Sequence, residues 1–127
     1  MRRARVLLGD DQPLILEALQ SILCKDFDVV GVASDGRELV NETSRLQPDA
    51  VVLDVSMPAL NGFEAARQIK VILPAVKLLF LTQTVDRSYV DAAFALGASA
   101  YVLKQAAASE IVNALAEALA GGFYRSA

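Results

Sequence analysis

The chain has no histidine, no tryptophan and a single cysteine among its 127 residues, and aromatic side chains make up only 6% of it. Without histidine there can be no Ser-His-Asp or Cys-His nucleophilic constellation and no His-based zinc site. A histidine kinase and a histidine phosphocarrier are excluded for the same reason. One thiol, Cys24, cannot close an internal disulfide; it lies in a helix-like stretch and reads as a buried or half-buried reduced cysteine, which suits a reducing cytoplasm. Long hydrophobic runs are missing as well. The first, Val6-Leu7-Leu8, stops at Gly9-Asp10-Asp11, too short for a signal peptide or a membrane span. Twelve Lys and Arg against fifteen Asp and Glu give a formal charge of −3, so direct binding of nucleic acid by this segment is not expected. Neither G-x-x-x-x-G-K-[ST] nor G-x-G-x-x-G occurs, so no nucleotide-phosphate cradle is visible.

What is present is an alternation. Short apolar runs occur at Val6-Leu7-Leu8, Val29-Val30-Gly31-Val32, Ala50-Val51-Val52-Leu53, residues 76–81 and Ala100-Tyr101-Val102-Leu103. Between and after them the apolar residues fall at helical spacing. The faces are Ile15, Ala18, Leu19 and Ile22; Leu39, Val40, Thr43 and Leu46; Phe63, Ala66, Ile69 and Lys70; Val90, Ala93 and Phe94; and Ile111, Leu115, Ala118 and Leu119. Strands that are apolar throughout want cover on both faces, and intervening helices supply it. The pattern predicts one α/β domain, a doubly wound parallel sheet of five strands, with ligands bound where the loops after the strand ends meet.

Those strand ends carry the chemistry. The first closes on Asp10-Asp11, the third on Asp54, the fourth on Thr82 and the fifth on Lys104, while the second runs into an ordinary turn, Ser34-Asp35-Gly36. Taken singly, Asp10-Asp11 reads equally as a helix-capping turn, Thr82 as a β-branched strand residue and Lys104 as a lysine reaching for water. Asp54 is harder to dismiss, because an unpaired carboxylate at the end of a buried strand costs several kcal/mol or is forced neutral. Neighbouring first and third strands would crowd three carboxylates into one pocket. Their repulsion calls for a cation, and an all-oxygen ligand set suits Mg²⁺. A carboxylate beside such a metal can attack phosphorus, with Thr82 and Lys104 meeting the phosphoryl oxygens. The pocket therefore reads as a phosphoryl acceptor.

Five segments in this order make the resemblance specific: Asp10-Asp11-Gln12-Pro13; Asp35-Gly36-Arg37-Glu38; residues 48–58 around Asp54, with Asn61-Gly62 just beyond; Leu81-Thr82; and Gly97-Ala98-Ser99-Ala100-Tyr101-Val102-Leu103-Lys104. Over residues 6–119 the chain resembles a receiver domain of a bacterial two-component response regulator. The resemblance implies the flavodoxin-like (βα)5 fold with strand order 2-1-3-4-5. It implies that Asp54 takes a phosphoryl group from a sensor histidine kinase or a small phosphodonor, and that Asp11, Asp54 and the backbone carbonyl of Ser56 hold Mg²⁺ with Asp10 in the outer shell. Thr82 and Lys104 would sense the phosphate, and Tyr101 would swing inward as Thr82 moves, changing the surface of the fourth helix, fifth strand and fifth helix. For Tyr101 the plainer reading is a half-exposed strand aromatic. Pro58 and Gly62 would shape the loop after Asp54.

Some positions depart from the commonest family pattern. Gly9 replaces a small β-former and is expected to loosen the end of the first strand. Gln83 is larger than the residue often found after Thr82, which bears on access to the phosphate. Ser56 and Thr84 stand at variable positions that help set how long the phosphate survives. The tail, Ala120-Gly121-Gly122-Phe123-Tyr124-Arg125-Ser126, is similar to the segment leaving the last helix of NarL/LuxR-type regulators. This divides the chain into a receiver domain, 1–120, and the start of a linker, 121–127, toward a helix-turn-helix effector domain outside it. On that reading the protein is cytoplasmic, touches no membrane, meets DNA only through that effector, and is compatible with a homodimer on phosphorylation. The alternatives are a stand-alone single-domain receiver, an Mg²⁺-dependent aspartyl phosphatase and a flavodoxin-like cofactor carrier. The phosphatase would want an acid where Ser56 stands, and the carrier would want a phosphate loop that Asp10-Asp11 would repel.

Overall fold

A computed structural model describes residues 2–83 and 86–126. In chain order the elements are β1 (Arg5–Gly9), α1 (Pro13–Leu23), β2 (Asp28–Ala33), α2 (Gly36–Leu46), β3 (Ala50–Asp54), α3 (Gly62–Ile72), β4 (Lys77–Thr82), α4 (Arg87–Ala95), β5 (Ala100–Leu103), a 3-10 turn (Lys104–Ala106), α5 (Ala107–Leu119) and β6 (Tyr124–Arg125). All pairings are parallel and the order is β2-β1-β3-β4-β5-β6. The expected order 2-1-3-4-5 is present, but the sheet has six strands rather than five. The extra one comes from the tail, where Tyr124 and Arg125 pair with Ala100 and Tyr101.

Alternation along each strand builds two cores. Leu7, Val51, Leu53, Leu78, Phe80 and Tyr101 face α2, α3 and α4, whereas Val6, Leu8, Val52, Leu79, Leu81 and Val102 face α1 and α5. The helices start where the sequence supplies caps. Asp35 accepts from the Glu38 amide at 2.7 Å, Asn61 from the Glu64 amide at 2.9 Å and Asp86 from the Ser88 amide at 2.9 Å, while α1 opens on Pro13 with no side-chain cap. On α1 the buried residues are Leu16, Leu19 and Leu23, with Ile15 and Ile22 only partly buried, so the buried stripe is turned slightly from the one expected, and Cys24 just past the helix is exposed where burial was expected.

Glycine shapes two places that matter for the site. At Gly36 an added Cβ would lie 1.8 Å from the Leu60 carbonyl oxygen, and at Gly62 2.2 Å from that of Asp54, so both let the loop after β3 lie flat on its neighbours. At Gly9 the tip of Leu39 from α2 fills the space a Cβ would take, 2.7 Å from it. No described helix is long and apolar enough to cross a membrane.

Candidate phosphoryl-acceptor site

The carboxyl ends of β1, β3 and β4 and the turn after β5 converge on one cleft of about 400 Å³. It is lined by Asp11, Gln12, Asp54, Val55, Ser56, Thr82, Gln83, Tyr89 and Lys104. Parallel strands ending at one level bring this about: β1 lies beside β3, β3 beside β4 and β4 beside β5, so residues far apart in sequence arrive together.

Asp10, Asp11 and Asp54 each offer a carboxylate oxygen within 4.8 Å of the others. Asp10 is fully buried and Asp54 is 4% exposed, whereas Asp11 faces solvent. Lys104 bridges the two buried acids, with Nζ 2.8 Å from Asp54 Oδ2 and 3.2 Å from Asp10 Oδ2. The first contact is a hydrogen bond. The second is close enough for charge attraction but out of line for one, and Asp10 Oδ2 has no hydrogen-bond donor among the described residues. Backbone amides orient the other oxygens: Gln12 donates to Asp10 Oδ1 at 2.9 Å and Ser56 to Asp54 Oδ1 at 3.1 Å.

Charge follows from this packing. Burial raises the Asp10 carboxyl above the usual carboxylate range, and neighbouring Asp54 adds to the rise, against the Gln12 amide and the Lys104 charge. Burial alone would pull the Lys104 ammonium down, but the hydrogen bond and charge of Asp54, together with Asp10, carry it above its ordinary value. Two buried carboxylates, a third at the mouth and one lysine make an oxygen-only donor set with a buried acceptor lacking a donor. Asp10, Asp11 and Asp54 together could hold a small hard cation.

Of the residues singled out from the sequence, Asp10, Asp11, Asp54, Ser56, Thr82 and Lys104 are brought together here, and Gln83 stands at the rim. Tyr101 is elsewhere: it is fully buried in the core under α3 and α4, neither half-exposed nor in the cleft. Thr84 lies outside the described residues. Two wall residues went unnoticed in the sequence. Gln12 supplies the amide that orients Asp10, and Tyr89 of α4 stacks on Phe63 with ring centroids 6.1 Å apart. Asp10-Asp11-Gln12-Pro13 as a turn was a signal for the first; the second had none, because loop proximity is not encoded in spacing.

A family model described as response regulator receiver domain matches residues 6–116. The chain is 37% identical over 120 residues to the transcriptional regulatory protein LnrK of Bacillus subtilis, covering 93% of this chain and 54% of that protein. It is 33% identical over 113 residues to the response regulator protein VraR of Staphylococcus saprophyticus, covering 87% and 54%. The chain thus spans about half the length of the curated relatives it matches. Among solved structures, a two-component response regulator of the LuxR family from Aurantimonas sp. SI85-9A1 superposes with a TM-score of 0.91 at 32% identity, covering 96% of this chain and 89% of that one. The signal receiver domain of the putative response regulator NarL from Mycobacterium tuberculosis gives 0.89 at 29% identity, covering 95% and 99%.

Proposed function

Since the chain belongs to the response regulator receiver domain family of two-component systems, we propose that it accepts a phosphoryl group on Asp54 and passes the change to a partner surface. The observation that carries the reading is the Asp54 carboxylate itself, pinned between the Ser56 amide and the Lys104 ammonium inside the cleft. Held on two sides, it keeps one orientation toward an incoming phosphorus, so little is lost in ordering it at the moment of attack.

An Asp54 oxygen forms the new O–P bond while the bond from phosphorus to the donor breaks, and the donor, a kinase imidazole or a small acyl phosphate, leaves with the electron pair. Asp11, Asp54 and the Ser56 carbonyl are the proposed metal ligands, with Asp10 in the outer shell. When bound, Mg²⁺ offsets the carboxylate repulsion and draws charge from the phosphoryl oxygens. Lys104 then exchanges Asp54 for a phosphoryl oxygen, and Thr82 donates to another. With Thr82 drawn toward the phosphate, the space beneath it opens to Tyr101, which is already buried in the adjoining core, and the α4-β5-α5 surface is reset. The output is control of transcription through an effector domain reached by way of residues 121–127, a reading supported by the transcriptional regulators among the relatives. The setting is the cytoplasm and the upstream partner is a sensor histidine kinase. The chemistry is single-site self-modification, not turnover of a substrate.

The test is intact mass after incubation with acetyl phosphate, with and without Mg²⁺, on the wild type and Asp54→Asn. One phosphoryl adduct that requires both Mg²⁺ and Asp54 is expected. An adduct of equal yield on Asp54→Asn overturns the assignment.

A further inference from the structure

The segment after α5 does not leave the sheet. Gly121, at φ +93°, turns the chain back, and β6 then runs alongside β5. The Tyr124 amide donates to the Ser99 carbonyl and the Ser126 amide to the Tyr101 carbonyl, both at 2.9 Å. Side chains fasten the strand to both flanking helices. Phe123 meets Phe94 of α4 edge-on with centroids 6.1 Å apart, while the Tyr124 and Ser126 hydroxyls donate to the same Oε1 of Glu110 on α5, at 2.9 and 2.6 Å. Ser126 is 2% exposed, and its hydroxyl also accepts from the Leu103 amide at 3.0 Å, one residue from Lys104.

This docking bears on Tyr101, which sits opposite Arg125 in the register and is fully buried in the core that also holds Phe80, Val90 and Ala93. An aromatic on an edge strand has two resting places, packed under a helix or lying out over the open edge. Here β6 lies along that edge.

We propose that the β5 edge between α4 and α5 is a strand-accepting surface whose occupant is the chain's own residues 123–126, and that their docking holds Tyr101 inward. Docking of the tail and phosphorylation of Asp54 then favour the same conformation, a clause that rests on the function proposed above. The coupling is reciprocal by thermodynamic linkage: whatever strengthens one strengthens the other. Because β6 is parallel to β5, its C-terminal end lies at the same end of the sheet as the cleft.

The experiment combines amide hydrogen exchange at Tyr124 and Ser126 with nitration of Tyr101 by tetranitromethane, on the full chain and on Glu110→Ala/Ser126→Ala. In the wild type both amides are expected to be protected and Tyr101 to nitrate slowly. In the double variant tail protection should drop by about tenfold or more, and Tyr101 should nitrate several-fold faster. Ser126→Ala alone, which leaves α5 unaltered, gives the same readout should the double variant not fold. Tail amides exchanging at free-peptide rates in the wild type, or Tyr101 nitrating unchanged once the tail is loose, overturns the proposal. Protection that depends on protein concentration overturns the intrachain occupant in favour of a second copy. Samples shown by mass to carry the phosphoryl group should protect the tail further, and unchanged protection in them refutes the coupling. Absence of any adduct refutes the proposed function instead, and leaves the nitration result to judge the docking.

Discussion

Replacing Lys104 by methionine keeps the length of the stem and removes only the ammonium, so its effect isolates the charge between the buried acids. At an effective dielectric constant of about 20, contacts of 2.8 and 3.2 Å correspond to about 6 and about 5 kcal/mol of gross attraction. Most of this offsets the desolvation of the three groups, and removing one partner of a buried pair costs about 3–5 kcal/mol net. The lower end applies here, because Asp10, already raised by burial and by Asp54 against the Gln12 amide and Lys104, can take up a proton once the lysine is gone. Lys104→Met is therefore expected to lose about 3 kcal/mol at pH 7.5, a fall of roughly 10 °C in Tm for a domain of this size. A carboxyl whose folded pKa lies above its unfolded one costs stability above the folded value, and that cost disappears as pH falls below the unfolded one. The deficit should accordingly shrink toward pH 5. Millimolar Mg²⁺ should raise the Tm of the variant more than that of the wild type, since the triad has lost the cation that competes for it. Thermal melts of both proteins, with and without Mg²⁺, decide the matter. A variant melting within about 2 °C of the wild type in the absence of metal, or equal stabilisation of both by Mg²⁺, refutes the reasoning.

The two tight glycines should separate clearly in urea denaturation. Gly36→Ala drives its Cβ against the backbone carbonyl of Leu60 and should cost about 3 kcal/mol or more, whereas Gly9→Ala meets only the movable tip of Leu39 and should cost about 1–2 kcal/mol; the reverse order would sink the argument. Burial, with the hydrogen bond and charge of Glu110 added, raises the Tyr124 phenol above its ordinary 10.0, so tail docking is intact below that value and lost as pH rises through the higher one. Tyrosinate absorbance of the wild type minus Tyr124→Phe should show this late ionisation, and a difference curve centred on the free-tyrosine value would contradict it.

The five principal strands were legible as short apolar runs, a pattern that burial under two helical layers rewards in β1, β3, β4 and β5, while the edge strand β2 is only partly covered. The sixth was not, since Tyr124-Arg125 follows Gly121-Gly122 with no apolar run, and it pairs through backbone groups that an open β5 edge provides. On α1 the run Leu14-Ile15-Leu16 is apolar all round, which left the phase of the buried stripe undetermined. Asp10, Asp11, Asp54 and Lys104 stood out because each lies at the carboxyl end of an apolar run, and parallel strands end at one level. Tyr101 showed the limit of the same logic. Its place on a strand was readable, but its complete burial depends on which helix covers that face and on the neighbour that closes the edge. Glu110, Ser126 and Tyr89 act through distances between loops and helices that no spacing records.

Because the strand side chains alternate, the two cores share no residue, and a barrier one backbone thick lies between them. Mutations such as Leu39→Ala on one side and Leu115→Ala on the other should therefore add in free energy as though made in separate molecules. Departures from additivity should be concentrated among Asp10, Asp54, Thr82 and Lys104, where the sheet ends and both layers meet. A double-mutant survey would then chart the molecule as two independent ledgers joined along a single rim.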